Sequence, residues 1–180
     1  MKSIGIICQH RSGHTAYEQW LSNKLKMPLY KELDLNTNDQ NLDKWFSKLP
    51  TDIIFSCMVR PNLIENILEK YKNINWRILY RKDVYTQCLS FIYTNKTQKT
   101  REDQNAIVDV DIKLIDYFFK NWQIINKVKA TNLYPVYYYE DVIVSENLKE
   151  LNVEKNNNDY VKLIKNINMV NKKIKEYWDK

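Results

Sequence analysis

The chain has 180 residues, a formal net charge of +6 and 44% hydrophobic residues, which predicts a single domain over residues 1–180 with a buried core. No cationic run is interleaved with aromatic residues and no apolar stretch is longer than one strand, which argues against a nucleic-acid partner, a signal peptide and a membrane span. The three cysteines are widely spaced and form no metal or redox motif, so we expect a cytoplasmic protein with free thiols.

The first predicted elements are a strand at residues 4–8 and a helix at residues 15–26, joined by a short polar loop. Backbone amides at the start of a helix have no partner within the helix, so this order of elements forms an anion site. Arg11 and Gly13 in the loop support that interpretation, because Gly13 is one of only two glycines in the chain. An ordinary strand-to-helix connection is the alternative.

Predicted strands and helices alternate along the rest of the chain. Further strands or extended pieces are predicted at residues 29–35, 53–59, 78–80 and 133–139. Further helices are predicted at residues 42–49, 63–71, 83–95, 104–130, 140–151 and 160–178, with a polar loop at 95–103. This pattern predicts a three-layer α/β/α fold of the P-loop nucleotide-binding type, with a central, mainly parallel sheet of about five strands.

Arginines follow several of the predicted strands. Arg11, Arg60 and Arg81 each come shortly after a strand, and ligands of parallel sheets bind beyond the carboxyl ends of the strands. A basic rim around a helix N-terminus predicts a ligand with more than one anionic group. Ser90 lies about two turns into the helix after Arg81, where a hydroxyl and a guanidinium can hold one phosphate. A surface arginine and an ordinary helical serine are the alternative.

Three segments that follow predicted strands are residues 11–15 (RSGHT), 81–90 (RKDVYTQCLS) and 139–142 (YEDV). Together they resemble the sulfotransferase family, whose enzymes use 3′-phosphoadenosine 5′-phosphosulfate (PAPS), and more closely its bacterial trehalose-type branch. The first segment resembles the 5′-phosphosulfate loop of the family. The second is similar to its Arg-x-Asp-x-x-x-Gln-Ala-x-Ser element, whose arginine and serine hold the 3′-phosphate. The third resembles the Tyr-Glu-Asp-Leu that follows its last strand.

The resemblance implies transfer of a sulfuryl group from PAPS to a hydroxyl or amine of a small or carbohydrate acceptor, with no metal. The donor-binding residues that it implies are Arg11, Ser12, Gly13, His14, Thr15, Arg81 and Ser90. It implies catalytic roles for Arg11, His14 and Glu32, with Glu32 as the base, because the trehalose-type branch has a glutamate shortly after the first helix. His10 and His14 are rival bases, and a solvated surface carboxylate is the alternative for Glu32.

The sequence also departs from the family. His10 and His14 stand where the family's loop usually has a proline and a small hydroxyl residue, and the glycine-rich C-terminal loop of cytosolic members is absent. A lysine near the C-terminus is a candidate to replace that loop, but the spacing does not choose among Lys155, Lys162 and Lys165. We interpret Glu140 and Asp141 as structural residues that cap a helix.

Two other functions remain open from the sequence. A nucleotide kinase also binds phosphates at a strand, loop and helix, but its loop requires glycine where Cys8 stands and lysine where His14 stands. A catalytically silent member that binds a nucleotide or a partner protein is the second alternative. The sequence indicates neither the acceptor nor the oligomeric state.

Overall fold

The computed structural model describes residues 2–30, 33, 39–58, 61–100, 103, 105–143 and 159–179. Its centre is a four-stranded parallel sheet with the order β2-β1-β3-β4. The strands are β1 Ile4–Cys8, β2 Ile54–Cys57, β3 Asn75–Tyr80 and β4 Val136–Tyr138. The predicted α/β class with a parallel sheet is confirmed.

The predicted number of about five strands is not confirmed. In place of a fifth strand, Leu29 and Leu33 form isolated parallel bridges with Ile54 and Cys57. The amides of Tyr30 and Leu33 donate to carbonyl oxygens of β2 at 2.8 and 3.0 Å. The described part of the segment at 29–35 therefore runs beside β2 without forming a continuous strand.

Helices cover both faces of the sheet. They are α1 His14–Leu25, α2 Asp39–Ser47, α3 Pro61–Lys70, α4 Val84–Thr100, α5 Lys113–Ala130, α6 Tyr139–Val142, α7 Tyr160–Leu163 and α8 Ile167–Trp178. Helix α1 packs on one face, and side chains of α2 to α5, α7 and α8 pack in the core on the other. Among the described residues, no helix is both long and apolar enough to cross a membrane.

Strands β1 and β2 are buried on both sides, because side chains alternate between the two faces of a strand and helices cover both faces of the sheet. In β1, Ile4 and Ile6 pack with Tyr17 of α1, whereas Ile7 belongs to the larger core on the other face. A β-carbon at Gly5 would lie 2.3 Å from the Trp76 ring, so the close approach of that ring requires glycine in β1.

Helix α4 is longer than the sequence predicts. It continues through residues 95–100, which the polar composition places in a loop. Thr97 is buried within it and its hydroxyl donates back to the carbonyl of Tyr93 at 3.2 Å. The extension places a second half of α4 beside the carboxyl edge of the sheet.

The helices predicted at 104–130 and 160–178 are not continuous in the structure, because segments of the two contact each other. Helix α5 begins at Lys113, not at residue 104, and the C-terminal helix is divided into α7 and α8. Ile164 forms a bridge with Val108, and the Asn166 side chain bonds both the N–H and the C=O of Val110, at 3.0 and 2.9 Å. Helix α6 ends at Val142, and the rest of the helix predicted at 140–151 lies almost entirely outside the described residues.

Candidate functional site

The sequence motifs at residues 11–15, 81–90 and 139–142 meet at the carboxyl edge of the sheet. Strand β1 ends at Cys8 beside Leu79 of β3, so the loop after β1 and the start of the second motif are neighbours. Strand β4 pairs with β3 up to Tyr138, which places the third motif next to the second. Ligands of open parallel sheets bind at this edge.

The loop between β1 and α1 makes a tight turn. The N–H of Ser12 donates to the carbonyl of Gln9 at 3.1 Å, and Arg11 and Gly13 have left-handed φ values of 61° and 83°. Gly13 is the N-cap of α1, so the amides of the first helical turn open onto the loop. A β-carbon at Gly13 would lie 2.3 Å from the Tyr139 ring. Both the backbone conformation and this contact require glycine there.

A chain of side-chain hydrogen bonds joins the first motif to the second. Nε of Arg11 donates to Oγ of Ser90 at 3.0 Å, and Ser90 donates to the hydroxyl of Tyr160 at 3.1 Å. Ser90 on α4 and Tyr160 on α7 are each only 5% exposed. Ser90 is therefore closed in by Arg11 on one side and by α7 on the other.

Arg81 joins the second motif to both of the others. Its Nη1 donates to the carbonyl of Arg11 at 3.2 Å, and its Nε donates to Glu140 at 3.3 Å. The second oxygen of Glu140 accepts from the N–H of Lys82 at 3.1 Å. The guanidinium carbon lies 4.8 Å from the centre of the Tyr139 ring. Burial raises the pKa of Tyr139 against the opposing effect of Arg81, so this tyrosine stays neutral.

Glu140 therefore orients Arg81. The interpretation of Glu140 as a helix cap is wrong, because the N-cap of α6 is Tyr138 and no side-chain bond caps this helix. Asp141 forms an exposed ion pair with Lys82. The pairing of Arg81 with Glu140 had no signal in the sequence, since the two residues are 59 positions apart.

Two buried glutamines hold the loop after β1. Nε2 of Gln87 donates to the carbonyl of His10 at 2.9 Å, and Nε2 of Gln9 donates to the carbonyl of Phe118 at 2.8 Å. Arg81 donates to the next carbonyl, that of Arg11, so Gln87 and Arg81 together fix the direction of two successive peptide groups. Because C=O and N–H point in opposite directions in a trans peptide, the amides are fixed as well. Gln87 lies within the second motif, but its contact with the His10 carbonyl, 77 positions away, has no signal in the sequence.

The structure thus brings together most of the residues implied in donor binding, with Arg81 and Ser90 both near Arg11. Ser12 is 1% exposed and its hydroxyl has no hydrogen-bond partner among the described residues. Thr15 is exposed in the first turn of α1. Glu32 lies outside the described residues, so its predicted role as the base stays a prediction.

A cleft of about 530 Å³ opens beside the loop. The side chains of His10, Arg11 and His14 line one end of it, and residues of α4 and α5 form its walls. Within the described residues, no group of three or more histidine, cysteine, aspartate or glutamate side chains is placed to hold a metal ion.

No protein-family model and no curated protein matches this sequence. Among solved structures, mouse sulfotransferase SULT7A1 complexed with PAP aligns with a TM-score of 0.56 and 10% identity, over 90% of this chain and 62% of the mouse chain. An uncharacterized protein from Eubacterium ventriosum aligns over 99% of this chain and 98% of its own, with 12% identity and a TM-score of only 0.30.

The likeness to the mouse enzyme shows a sulfotransferase-like fold, as the sequence motifs predict. The chain spans 62% of the length of that enzyme. The closer resemblance to the trehalose-type branch stays a prediction.

Proposed function

We propose that this protein is a sulfotransferase that moves a sulfuryl group from PAPS to a hydroxyl or amine of a small or carbohydrate acceptor. The observation that carries the proposal is the contact of Arg11 with Ser90 at 3.0 Å and with Arg81 at 3.2 Å. Two guanidinium groups beside a helix N-terminus suit a ligand with more than one anionic group, and PAPS carries such groups at both the 3′ and 5′ positions. The fold shared with a PAP-complexed sulfotransferase supports this assignment.

In this proposal the amides at the start of α1 hold the 5′-phosphosulfate together with Arg11, Ser12 and Thr15. The buried Ser12 hydroxyl, which has no partner among the described residues, fits this role because a ligand oxygen would satisfy it. Arg81 and Ser90 hold the 3′-phosphate. The Ser90 hydroxyl accepts from Arg11 and donates to Tyr160, and a phosphate oxygen can only accept, so the phosphate must take the hydrogen that Ser90 gives to Tyr160. The bond to Ser90 uses only Nε of Arg11, which leaves its terminal N–H groups for the 5′ end.

The proposed reaction is an in-line displacement at sulfur. The acceptor oxygen forms a bond to sulfur, the bond from sulfur to the 5′-phosphate oxygen breaks, and the electron pair stays on that oxygen. Arg11 and the amides of α1 stabilise the charge that develops there. The acceptor proton passes to a base. Glu32 is the base that the resemblance implies, and His10 and His14 are the rivals, both of which line the cleft.

Calorimetry with 3′-phosphoadenosine 5′-phosphate (PAP) tests the donor site. Arg81→Met keeps an aliphatic stem against Tyr139 but removes the charge, and we expect it to weaken PAP binding roughly 10- to 100-fold, the worth of a charge-assisted contact. The matched control is Arg77→Met, because Arg77 lies on β3, the strand that ends directly before Arg81, and also stacks on a tyrosine, Tyr137, at 5.3 Å. Equal PAP affinity in wild type and Arg81→Met would refute the assignment.

A nucleotide-binding protein without transferase activity is the second candidate. The altered loop favours it, because His10 and His14 stand where the phosphosulfate loop of the sulfotransferase family has a proline and a small hydroxyl residue. A kinase would instead bind ATP with magnesium in the same calorimeter. Tight PAP binding with no transfer of labelled sulfate from PAPS to a panel of sugars and small alcohols would establish the silent form.

A further inference from the structure

We propose that the cleft beside the loop binds the acceptor, and that this acceptor is an uncharged ring compound with hydroxyl groups. The inference rests on the proposed sulfotransferase function and names its substrate class. Four features of the cleft carry it: its place beside the loop, an aromatic wall, a polar wall, and the charge of its lining. At about 530 Å³ the cleft has the size of ordinary small-molecule sites.

The position of the cleft suits an acceptor. His10, Arg11 and His14 line it, and they belong to the loop and first helical residue proposed to hold the phosphosulfate. A molecule in the cleft therefore lies next to the group that is to be transferred. Both histidines that rival Glu32 as the base also lie at this end, within the same cavity as the acceptor.

One wall of the cleft is aromatic. The rings of His10 and Phe91 stack with their centroids 5.4 Å apart and their planes 29° apart, and the rings of Phe91 and Tyr117 stack at 6.1 Å and 22°. The three rings thus form a row from the loop to α5. Tyr117 at the outer end is 39% exposed, so part of its ring is open to a ligand. Such a surface packs well against the apolar face of another ring.

Another wall is polar and uncharged. Thr94, Asn95 and Gln98 lie on one side of α4 at helical spacing and line the cleft. The Oδ1 atom of Asn95 is buried and has no hydrogen-bond partner among the described residues. Amide and hydroxyl groups both donate and accept, so they match the hydroxyls of a ligand in either direction. An acceptor hydroxyl reaches this oxygen once the Asn95 amide turns toward the cleft.

The charge of the lining decides between a hydroxyl and an amine acceptor. The described residues that line the cleft include Arg11 but no aspartate or glutamate. An ammonium group would lose water and meet the like charge of Arg11, with no acidic side chain among the described lining residues to offset it, whereas a neutral hydroxyl compound meets no such penalty. The lining therefore favours a neutral acceptor.

The first test measures binding to the PAP-loaded protein by calorimetry, with 4-nitrophenyl β-D-glucopyranoside as the probe. We expect Tyr117→Ala to weaken its binding at least about tenfold, because the variant removes the ring from the aromatic wall. Tyr117→Phe retains the ring and should keep the affinity. Equal affinity of wild type and Tyr117→Ala, or no binding of the glucoside to the wild type, would overturn the cleft as the acceptor site.

The second test compares this glucoside with its 2-amino-2-deoxy analogue, which carries an ammonium group at pH 6.5. We expect sulfuryl transfer from PAPS to favour the neutral glucoside at least about tenfold in kcat/KM. Gln98→Glu places a carboxylate in the cleft and should move that ratio toward the amine by about tenfold. The matched control, Gln123→Glu, lies on the exposed surface of α5 outside the cleft and should leave the ratio unchanged.

The outcomes separate this inference from the function on which it rests. Identical ratios in Gln98→Glu and Gln123→Glu, with PAP binding intact, would overturn the cleft and leave the nucleotide site standing. A wild-type preference for the amine would overturn the neutral class. Failure of the wild type to bind PAP would overturn the sulfotransferase proposal, and this inference with it.

Discussion

Replacing Gly13 by alanine tests how the first and third motifs fit together. Gly13 has φ +83°, and a β-carbon there would lie between 2.3 and 2.9 Å from three atoms of the Tyr139 ring. The left-handed backbone costs a residue with a side chain about 1–2 kcal/mol, and forcing a methyl group against a packed ring costs about 1–3 kcal/mol more. We therefore expect Gly13→Ala to lower the free energy of unfolding by about 2–5 kcal/mol.

That loss corresponds to a fall in Tm of about 4–20 °C for a domain of this size, which a urea titration and a thermal scan both measure. The Tyr139 ring also packs against Arg81, at 4.8 Å from the guanidinium carbon. A methyl group at position 13 that displaces this ring should therefore also disturb Arg81 and weaken PAP binding, although Gly13 and Arg81 lie in different motifs.

A double-mutant cycle separates the two costs. In a Tyr139→Ala background the ring is absent, so Gly13→Ala should cost only the backbone term of about 1–2 kcal/mol. The difference between the two backgrounds is the energy of the contact between alanine and the ring. An equal cost in both backgrounds would refute the inferred packing of Tyr139 on Gly13.

Three further predictions concern catalysis, the loop and the core. Glu32→Gln should lower turnover roughly 10²- to 10⁴-fold without changing PAP affinity, and unchanged turnover would move the role of base to His10 or His14. Gln87→Met removes the donor to the His10 carbonyl, so calorimetry should show PAP binding about tenfold weaker, and unchanged affinity would contradict the role of Gln87. Burial raises the pKa of the Cys88 thiol to about 12 from 9.0. The unfolded chain loses this proton above pH 9 and the folded chain only near pH 12, so the free energy of unfolding falls between these values by roughly 1.4 kcal/mol per pH unit. Urea titrations from pH 8 to 11 should show that the free energy of unfolding falls less steeply with pH in Cys88→Ala than in wild type. Equal slopes in the two proteins would contradict a raised pKa of the buried thiol.

The sheet could be predicted from the sequence because its signals are local. Residues 4–8 and 53–59 are short apolar runs with polar breaks after them, and both contain strands of the structure. The piece at 29–35 has weaker apolar character and pairs with the sheet only through Leu29 and Leu33 in its described part. The number of strands was therefore predicted less well than the class of fold.

The second half of α4 shows why a polar sequence was mistaken for a loop. Residues 95–100 carry amide, hydroxyl and lysine side chains, which in a surface segment are typical of loops. In the structure Asn95 and Gln98 line the cleft from a helix, so their polarity belongs to the cavity rather than to a turn. Sequence patterns do not distinguish a polar helix face on a binding cleft from an exposed loop.

The positions of the candidate site could be predicted, but its contacts could not. Arg11, Arg81 and Ser90 were singled out because they follow strand ends or resemble known motifs. The partners of these residues come from distant segments: Glu140 is 59 positions from Arg81, and Tyr160 is 70 positions from Ser90. Such pairs depend on how the helices and strands pack, which neither the spacing nor the composition of the sequence predicts.

In the proposed function one nucleotide bridges the two arginine-containing motifs, and a crystal structure with bound PAP tests this most directly. We predict one PAP molecule at the carboxyl edge of the sheet, with its 5′-phosphate on the loop of Arg11 and its 3′-phosphate on Arg81 and Ser90. The Ser90 hydroxyl should donate to that phosphate there, in place of Tyr160. PAP bound elsewhere, or with both phosphates away from Arg11 and Arg81, would contradict the account.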